Sequence, residues 1–554
     1  MKRFTMERWL GYCRIDLALL VAASVLSGLC PCRPAVAAGI IPPDRRIDWS
    51  PGIPGGIPTY PVALNVKNAP YSAKGNGVAD DTLAIQRAID DCPAGKAVFL
   101  PEGTFRTTAV LEIKAKGIVL RGTGPQKTRI RCEGTTGNII TIYHYSALTK
   151  FPIVAGHQKN STTLTLASAP KLAAGAHVMI DQENDPAVCL DMQGYQKRAL
   201  AQMAIVTAVK DKKVTINRPL YYTFDAKRDL QLSVFPGCFK AGIEDLCVQR
   251  AVDAGYDNIL INSAAYCWIK NIESCKAQKF HVRLLSAYGC EVRDSYFHDG
   301  WDGGGGADYG VCCFQRSGDN LIENNVFSRC RHSMIMEYGG CGNVYAYNYS
   351  RDPIHQKQEQ TDWLMSDMAL HGGHPFMNLY EGNIAAHIDC DNYLGGSRDN
   401  TFFRNYVERK TSMPTVHWGV WAVEVQKNNL YVNVVGNVLA KPPANITRPF
   451  DAWRIGYDRL LDEIDPRVAA TLLRHGNYNE ATQQVEWDGK IKERTLPASL
   501  YLKAKPAFFG DHPWPAIGPD VEPHVGFLPA KDRYERELGK AGTRATRPRH
   551  PRLL

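Results

Sequence analysis

One phrase of about eight residues returns along the second half of the chain, with apolar and polar positions alternating around an Asn. Its copies include Cys267-Trp268-Ile269-Lys270-Asn271-Ile272, Cys290-Glu291-Val292-Arg293-Asp294-Ser295, Asn320-Leu321-Ile322-Glu323-Asn324-Asn325, Gly342-Asn343-Val344-Tyr345-Ala346-Tyr347-Asn348, Asn378-Leu379-Tyr380-Glu381-Gly382-Asn383, Asn400-Thr401-Phe402-Phe403-Arg404-Asn405 and Val432-Asn433-Val434-Val435-Gly436-Asn437. Alternation is the period of a strand. A strand phrase recurring at roughly 22 to 35 residues suits one coil of a parallel β-helix with loops of varying length, each coil burying its apolar positions against the next. The Asn is read as structural: it tolerates left-handed backbone at a tight bend, and stacked copies can bond one another.

Upstream the pattern changes three times. Residues 38–61 are a Pro/Gly-rich lead-in, with Pro51-Gly52-Ile53-Pro54-Gly55-Gly56 as its centre. From Val62 the chain reads as a strand, then Gly75-Asn76-Gly77 and Asp80-Asp81-Thr82, then apolar residues Leu83, Ile85, Ala88 and Ile89 near helical spacing, with Asp80, Asp81 or Thr82 able to cap that helix. Short strands separated by turns over about 153–222 read as a small β insertion. After Pro442 the repeated phrase stops, so 62–449 is taken as the β-helix and 450–554 as a C-terminal extension, containing a short helix from Pro466 to Arg474 capped by Asp465 and covering the solenoid.

The segment Asn65-Val66-Lys67, Gly75-Asn76-Gly77, Asp80-Asp81-Thr82, Ala84-Ile85-Gln86, Val98-Phe99-Leu100-Pro101-Glu102-Gly103-Thr104-Phe105 and Leu120-Arg121-Gly122-Thr123-Gly124 resembles the opening of the pectate-lyase superfamily, the group that includes rhamnogalacturonase-like proteins. The resemblance implies an all-β, right-handed parallel β-helix whose first coil is capped by the helix. It also implies a polysaccharide substrate. The chain departs from the best-known relatives: it has no WIDH-type segment, Arg351-Asp352-Pro353-Ile354-His355-Gln356 lacks the second Arg of RxPxxR, and the polygalacturonase set is absent as a set. Fold likeness does not by itself establish the substrate.

Composition refines this picture in three places. Of 554 residues, 44% are apolar and 22% charged, so the chain has enough core to fold and is not of the disordered class. The formal charge of +9 gathers at the ends, at Lys2, Arg3 and Arg8 and at Arg544, Arg547, Arg549 and Arg552. That leaves the body near balance and gives no reason to expect a nucleic-acid partner. A basic start, an apolar run from Leu17 to Leu29 and Ala35-Val36-Ala37 have the anatomy of a signal peptide over 1–37, so secretion or a periplasmic location is expected, with no membrane segment after cleavage. The 16 cysteines, less Cys13, Cys30 and Cys32, leave an odd number. Several, including Cys247, Cys267, Cys290 and Cys312, fall in strands, where thiols behave as small core hydrophobes; a stacked core is expected over a disulfide framework.

A parallel β-helix has no interior pocket, so chemistry is sought where loops carry clustered ionisable groups. One such loop offers His298, Asp299, Trp301 and Asp302: carboxylates for acid/base work and an aromatic platform for a pyranose ring. The second region offers Arg331, His332, Glu337, Trp363, His371, His374, Glu381, Asp389, Asp391 and Arg398. Asp299, Asp302, His332, His371, His374, Asp389 and Asp391 are the candidate catalytic residues; His298, Trp301, Arg331, Glu337, Trp363, Glu381 and Arg398 are candidates for holding substrate. These two regions are expected to form the walls of one site. Two mechanisms fit such residues. In β-elimination a base removes the proton α to a uronate carboxylate while a cation stabilises the charge, and a divalent cation such as calcium would accompany it. In hydrolysis two carboxylates act on the glycosidic bond. A non-catalytic glycan-binding protein is the third reading.

Overall fold

The structure, a computed structural model, describes residues 39–144, 148–186, 197–235, 237–301, 304–353, 363–412, 416–446, 451–458 and 463–538. Among these, short strands stack coil upon coil into three parallel sheets. The first runs from Val62–Asn65 to Leu473–His475, the second from Asn76–Asp80 to Asn477–Asn479, with Gln484–Glu486 added antiparallel, and the third from Leu111–Lys114 to Trp453–Ile455. Each coil enters the first sheet, turns into the second and crosses to the third, the arrangement of a right-handed parallel β-helix. Alternation sends one set of side chains inward, where like residues stack: Tyr345, Tyr380 and Phe402 lie with successive ring centroids 5.0 Å apart.

The repeated Asn builds a ladder inside the corner between the first and second sheets. Asn325 Nδ2 donates to Asn348 Oδ1, and the same bond repeats through Asn383, Asn405, Asn437 and Asn477 at 2.9–3.0 Å. A parallel ladder links Asn320, Asn343, Asn378 and Asn400 where the first sheet begins. The left-handed backbone falls on Asn271 and Asp294 in the first two copies, as the sequence suggests, and one residue before the ladder Asn in the later ones, on Asn324, Tyr347, Gly382, Arg404 and Gly436. That residue turns the corner, which leaves the next side chain pointing inward, where its amide can reach both neighbouring coils and satisfy buried backbone groups.

Helix α1 (Thr82–Asp91) buries Ile85, Ala88 and Ile89 over the first coil. Asp80 Oδ1 accepts from Thr82 N at 3.0 Å, while Asp81 turns back to accept from Lys74 N and Gly75 N. Both carboxylates are thus structural.

The β insertion closes into a six-stranded antiparallel barrel from Thr149–Ala155 to Gln231–Phe235, wider at both ends than 153–222, because its first and last strands pair with each other. It enters between the third-sheet strand Ile140–Tyr143 and the first-sheet strand Gly242–Glu244, and its core reaches Cys341, Phe376 and Met377 of the solenoid.

The solenoid also continues past 449. Trp453–Ile455 pairs with Val423–Val425, Leu473–His475 with Asn433–Val435, and Asn477–Asn479 pairs in part with Val438–Leu439. The repeat phrase hides here because a helix, Pro466–Thr471, capped by Asp465, occupies the turn. It stops at Thr471, where Leu473 joins the sheet. The true covering segment follows: Leu496, Leu500, Phe509, Ile517, Leu528 and Tyr534 pack with Ile40, Ile41 and Trp49 on the outer faces of the first and second sheets.

Every described cysteine is free and buried. Cys267 and Cys290 are core residues, whereas Cys312 packs with Phe280, Tyr309, Ile335 and Ala369 in a separate cluster. Cys247 belongs to neither cluster and lies beside Glu273 and Cys275. Residues 1–37, with the signal-like segment, lie outside the described residues.

Candidate functional site

The third sheet gathers the densest group of titratable side chains. Val311, Met334, Met336, Met368, Leu370, Ile388 and Cys390 point into the core. The alternate residues therefore face outward, and the register stacks them: Phe314 pairs with Glu337 and His371 with Asp391, while the inward pair Met336–Leu370 sets Glu337 beside His371. Glu337, His371 and Asp391 thus form one column across three coils.

Within this column His371 Nδ1 and Asp391 Oδ2 are 2.5 Å apart, and Asp391 Oδ1 accepts from Tyr393 N at 2.9 Å. The ring of Tyr393, 45% exposed, stacks on His371 with centroids 5.6 Å apart and planes within 11°. His332 lies 6.2 Å from His371 ring to ring, and Tyr309 5.2 Å from His332. The Ser366 carbonyl is 2.8 Å from His332 Nδ1. A carbonyl only accepts, so Nδ1 carries the proton and Nε2 keeps its lone pair.

Electrostatics divide the two histidines. Burial, then Arg331 and His371, push the His332 imidazole well below its ordinary range. Burial also works against charge on His371, but Asp391 and Glu337 outweigh it and hold that imidazole up at about 9. Burial pushes the Glu337 carboxyl up to about 7, opposed by His371 and Arg283 and reinforced by Asp391. Near neutral pH the site thus pairs a neutral imidazole with an imidazolium. A base beside a cation is what proton abstraction next to a carboxylate needs. Asp389 joins from the neighbouring column, accepting from Gln426 Nε2 at 3.2 Å; Gln426 also bonds Glu424, which Arg454 holds at 2.8 Å.

The loop expected to form the opposite wall is a separate cluster on the second sheet. Asp299 accepts from Arg329 Nε at 2.6 Å and Nη2 at 2.5 Å and pairs with His298 Nδ1 at 2.8 Å. Burial opposes its charge, yet these partners hold the carboxyl far below its usual range. Burial likewise opposes charge on His298, which Asp299 and Glu273 hold up at about 9. A carboxylate held so firmly is a poor acid or base. Trp301 donates to the Arg250 carbonyl at 3.2 Å and carries the Lys276 ammonium over its ring at 5.4 Å, which fixes it in the corner. No hydrogen bond or ion pair among the described residues joins His298 or Asp299 to His332, His371 or Asp391. Asp302 lies outside the described residues.

Three further candidates lie away from the His332/His371 group. His374 packs edge-on against Tyr222 of the barrel at 6.1 Å, and Arg398 bonds Asp399 and spans the rings of Tyr222 and Tyr431 at 5.3 and 5.0 Å. Both belong to the junction between barrel and solenoid. Glu381 lies under the covering segment, accepting from Tyr347 Oη at 2.9 Å and Leu500 N at 2.8 Å. Trp363 bridges to Trp418, which is 55% exposed, on loops entering the third sheet. The structure brings in residues that sequence reasoning missed: Tyr309, Tyr393, Ser366, Glu424, Gln426 and Arg454. Their signal was weak because the segments between second and third sheets, 299–308, 329–331, 352–367 and 386–387, differ so much in length that no fixed offset from the Asn marks the third-sheet columns.

Neither cation-capable cluster among the described residues, Cys247–Glu273–Cys275 and His281–Asp308–Cys330, offers the all-oxygen set that calcium takes.

Comparison with known proteins agrees with this architecture. Residues 63–218 match the family model described as rhamnogalacturonase A/epimerase, pectate lyase-like. A stretch of 50 residues is 44% identical to an exo-poly-alpha-D-galacturonosidase of Dickeya chrysanthemi, covering 9% of this chain and 8% of that protein. The tailspike protein gp49 of Pseudomonas phage LKA1 is similar with a TM-score of 0.54 and 16% identity, over 68% of this chain and 64% of that one. The tailspike gp61 of Pseudomonas phage phi297 gives 0.48 and 16% over the same shares. The chain thus spans under two thirds of either tailspike and a small fraction of the galacturonosidase. Stacked coils, capping helix and the likeness to the gp49 tailspike together show a right-handed parallel β-helix, and its opening, residues 63–218, is similar to the pectate lyase-like family model.

Proposed function

We propose that this protein is an exported enzyme that cleaves a uronate-containing polysaccharide by β-elimination at the outer face of the third sheet. The observation that carries the reading is the placing of His332, its Nδ1 tied to the Ser366 carbonyl, 6.2 Å ring to ring from His371, whose Nδ1 is paired with Asp391. His332 Nε2 takes the proton α to the uronate carboxylate, the C4=C5 double bond forms as the C4–O glycosidic bond breaks, and the departing oxygen takes a proton from water. The His371 imidazolium, Arg331 and the raised Glu337 carboxyl stabilise the charge that moves onto that carboxylate. Tyr393 offers an exposed ring for a pyranose to stack on.

A second reading has its own support. Glu337, held up at about 7 beside Asp391, is an acid next to a carboxylate, the combination hydrolysis uses, and the short matching stretch belongs to a galacturonosidase. Incubation with a panel of uronate and neutral polysaccharides separates the readings. New absorbance from unsaturated uronate supports elimination, and reducing ends without it support hydrolysis. Binding with neither product sinks both.

A further inference from the structure

A second constellation lies beneath the loop that carries Asp299 and is not used by the chemistry above. His281, Asp308 and Cys330 are wholly buried, and their ligand atoms all lie within 4.8 Å of one another. They come from three successive coils: His281 from strand Phe280–Leu285, Asp308 from the turn before Tyr309–Phe314, and Cys330 from the turn before His332–Glu337.

Three observations favour an ion there over a plain core contact. Among the described residues His281 Nε2 has no hydrogen-bond partner, although it is fully buried, and buried polar atoms are nearly always satisfied. It faces Asp308 Oδ1 at 3.6 Å. That is too long for a hydrogen bond, but near the ~3.3 Å edge separating two ligands of a tetrahedral zinc whose bonds are about 2.0–2.1 Å. The other ring nitrogen, Nδ1, is already tied to Ser274 Oγ at 2.9 Å, and Asn258 Nδ2 fixes that hydroxyl at 3.0 Å. A metal-bound imidazole typically has its remote nitrogen held in just this way.

We propose that His281 Nε2, Asp308 Oδ1 and Cys330 Sγ bind one zinc ion that staples three consecutive coils. One nitrogen, one oxygen and one sulfur suit zinc and disfavour calcium or magnesium, which take oxygen. Binding converts the thiol to thiolate and releases its proton, and the cation offsets a carboxylate buried in the corner. The other thiol-bearing cluster, Cys247–Glu273–Cys275, is more open, and its Glu273 already bonds Gln126 at 3.0 Å and His298 at 3.4 Å, so it serves as the control.

The test uses the full chain, incubated with zinc sulfate, dialysed against metal-free buffer and assayed by elemental mass spectrometry. About one zinc per chain is expected, falling below about a tenth in Cys330→Ser and His281→Gln and unchanged in Cys275→Ser. Cobalt loaded in place of zinc should give a thiolate-to-cobalt charge-transfer band, lost in Cys330→Ser. Should His281→Gln fail to fold, Cys330→Ser, a near-isosteric change checked by circular dichroism, carries the test. Absence of stoichiometric metal and of the cobalt band in the native chain overturns the proposal, as does metal retained by Cys330→Ser or lost by Cys275→Ser.

Discussion

Glu381 on the first sheet and Glu337 on the third are both buried, and burial pushes both carboxyls up to about 7. Their surroundings make them different residues. Glu381 receives Tyr347 Oη and the backbone of Leu500, while on the same face Glu323 receives Tyr501 Oη at 2.8 Å and Arg404 binds the Leu496, Pro497 and Ile517 carbonyls and Asp520. These groups fasten the covering segment. Glu337 instead faces His371, Asp391 and Arg283, each able to change or share charge. One strand alternation supplies both faces. What packs over an outward polar group decides whether it serves as an anchor or as chemistry.

The sharpest way to break this comparison is to disarm the open face without touching the scaffold. His332→Gln keeps a donor for the Ser366 carbonyl but has no basic nitrogen; turnover should fall about 10²–10⁴-fold, about 3–5 kcal/mol of barrier, with the unfolding midpoint nearly unchanged. Undiminished turnover on a cleaved polysaccharide would refute the role of His332. The converse change is Asn383→Ala, which strands the Asn348 amides inside the ladder. Denaturant unfolding should show a loss of about 2–4 kcal/mol, with KM for the surviving folded enzyme unaltered.

A subtler effect lies in pH. The folded value of His371, about 9, lies above its unfolded value. The pair with Asp391 therefore stabilises the fold in full below about pH 6.5 and fades as pH rises through the folded value. Activity that depends on the imidazolium should fade over the same window. In Asp391→Asn that alkaline limb should move down by roughly one to three pH units, and a pH–rate profile that does not move would remove Asp391 from the mechanism. Smallest of all, Tyr393→Ala should raise KM about two- to tenfold, worth about 0.5–1.5 kcal/mol of stacking, and leave kcat within a factor of about two.

The Asn phrase and the Gly75–Thr82 opening made the solenoid and its capping helix readable, because both depend on neighbours close in sequence or repeated along it. His332, His371, Asp389 and Asp391 were readable as candidates because polar residues crowd their strands. His374, Arg398 and Glu381 crowd the same stretch yet face the barrel or the covering segment. Facing is set by corners whose loops vary in length, so it could not be counted along the chain. The strands after 450 were hidden for a related reason: a helix and a loop replace the recurring phrase, while the backbone pairing persists.

The sequence alone determined a stack of parallel coils, an inner asparagine ladder and an end capped by a helix, since periodic apolar positions and repeated amides can be satisfied in few other ways. Tertiary structure alone decided which polar groups share a column, which are sealed beneath the covering segment, and which histidine is charged. Those properties arise from the distances between coils and from the loss of water around each group, and neither is written in any single segment of the chain.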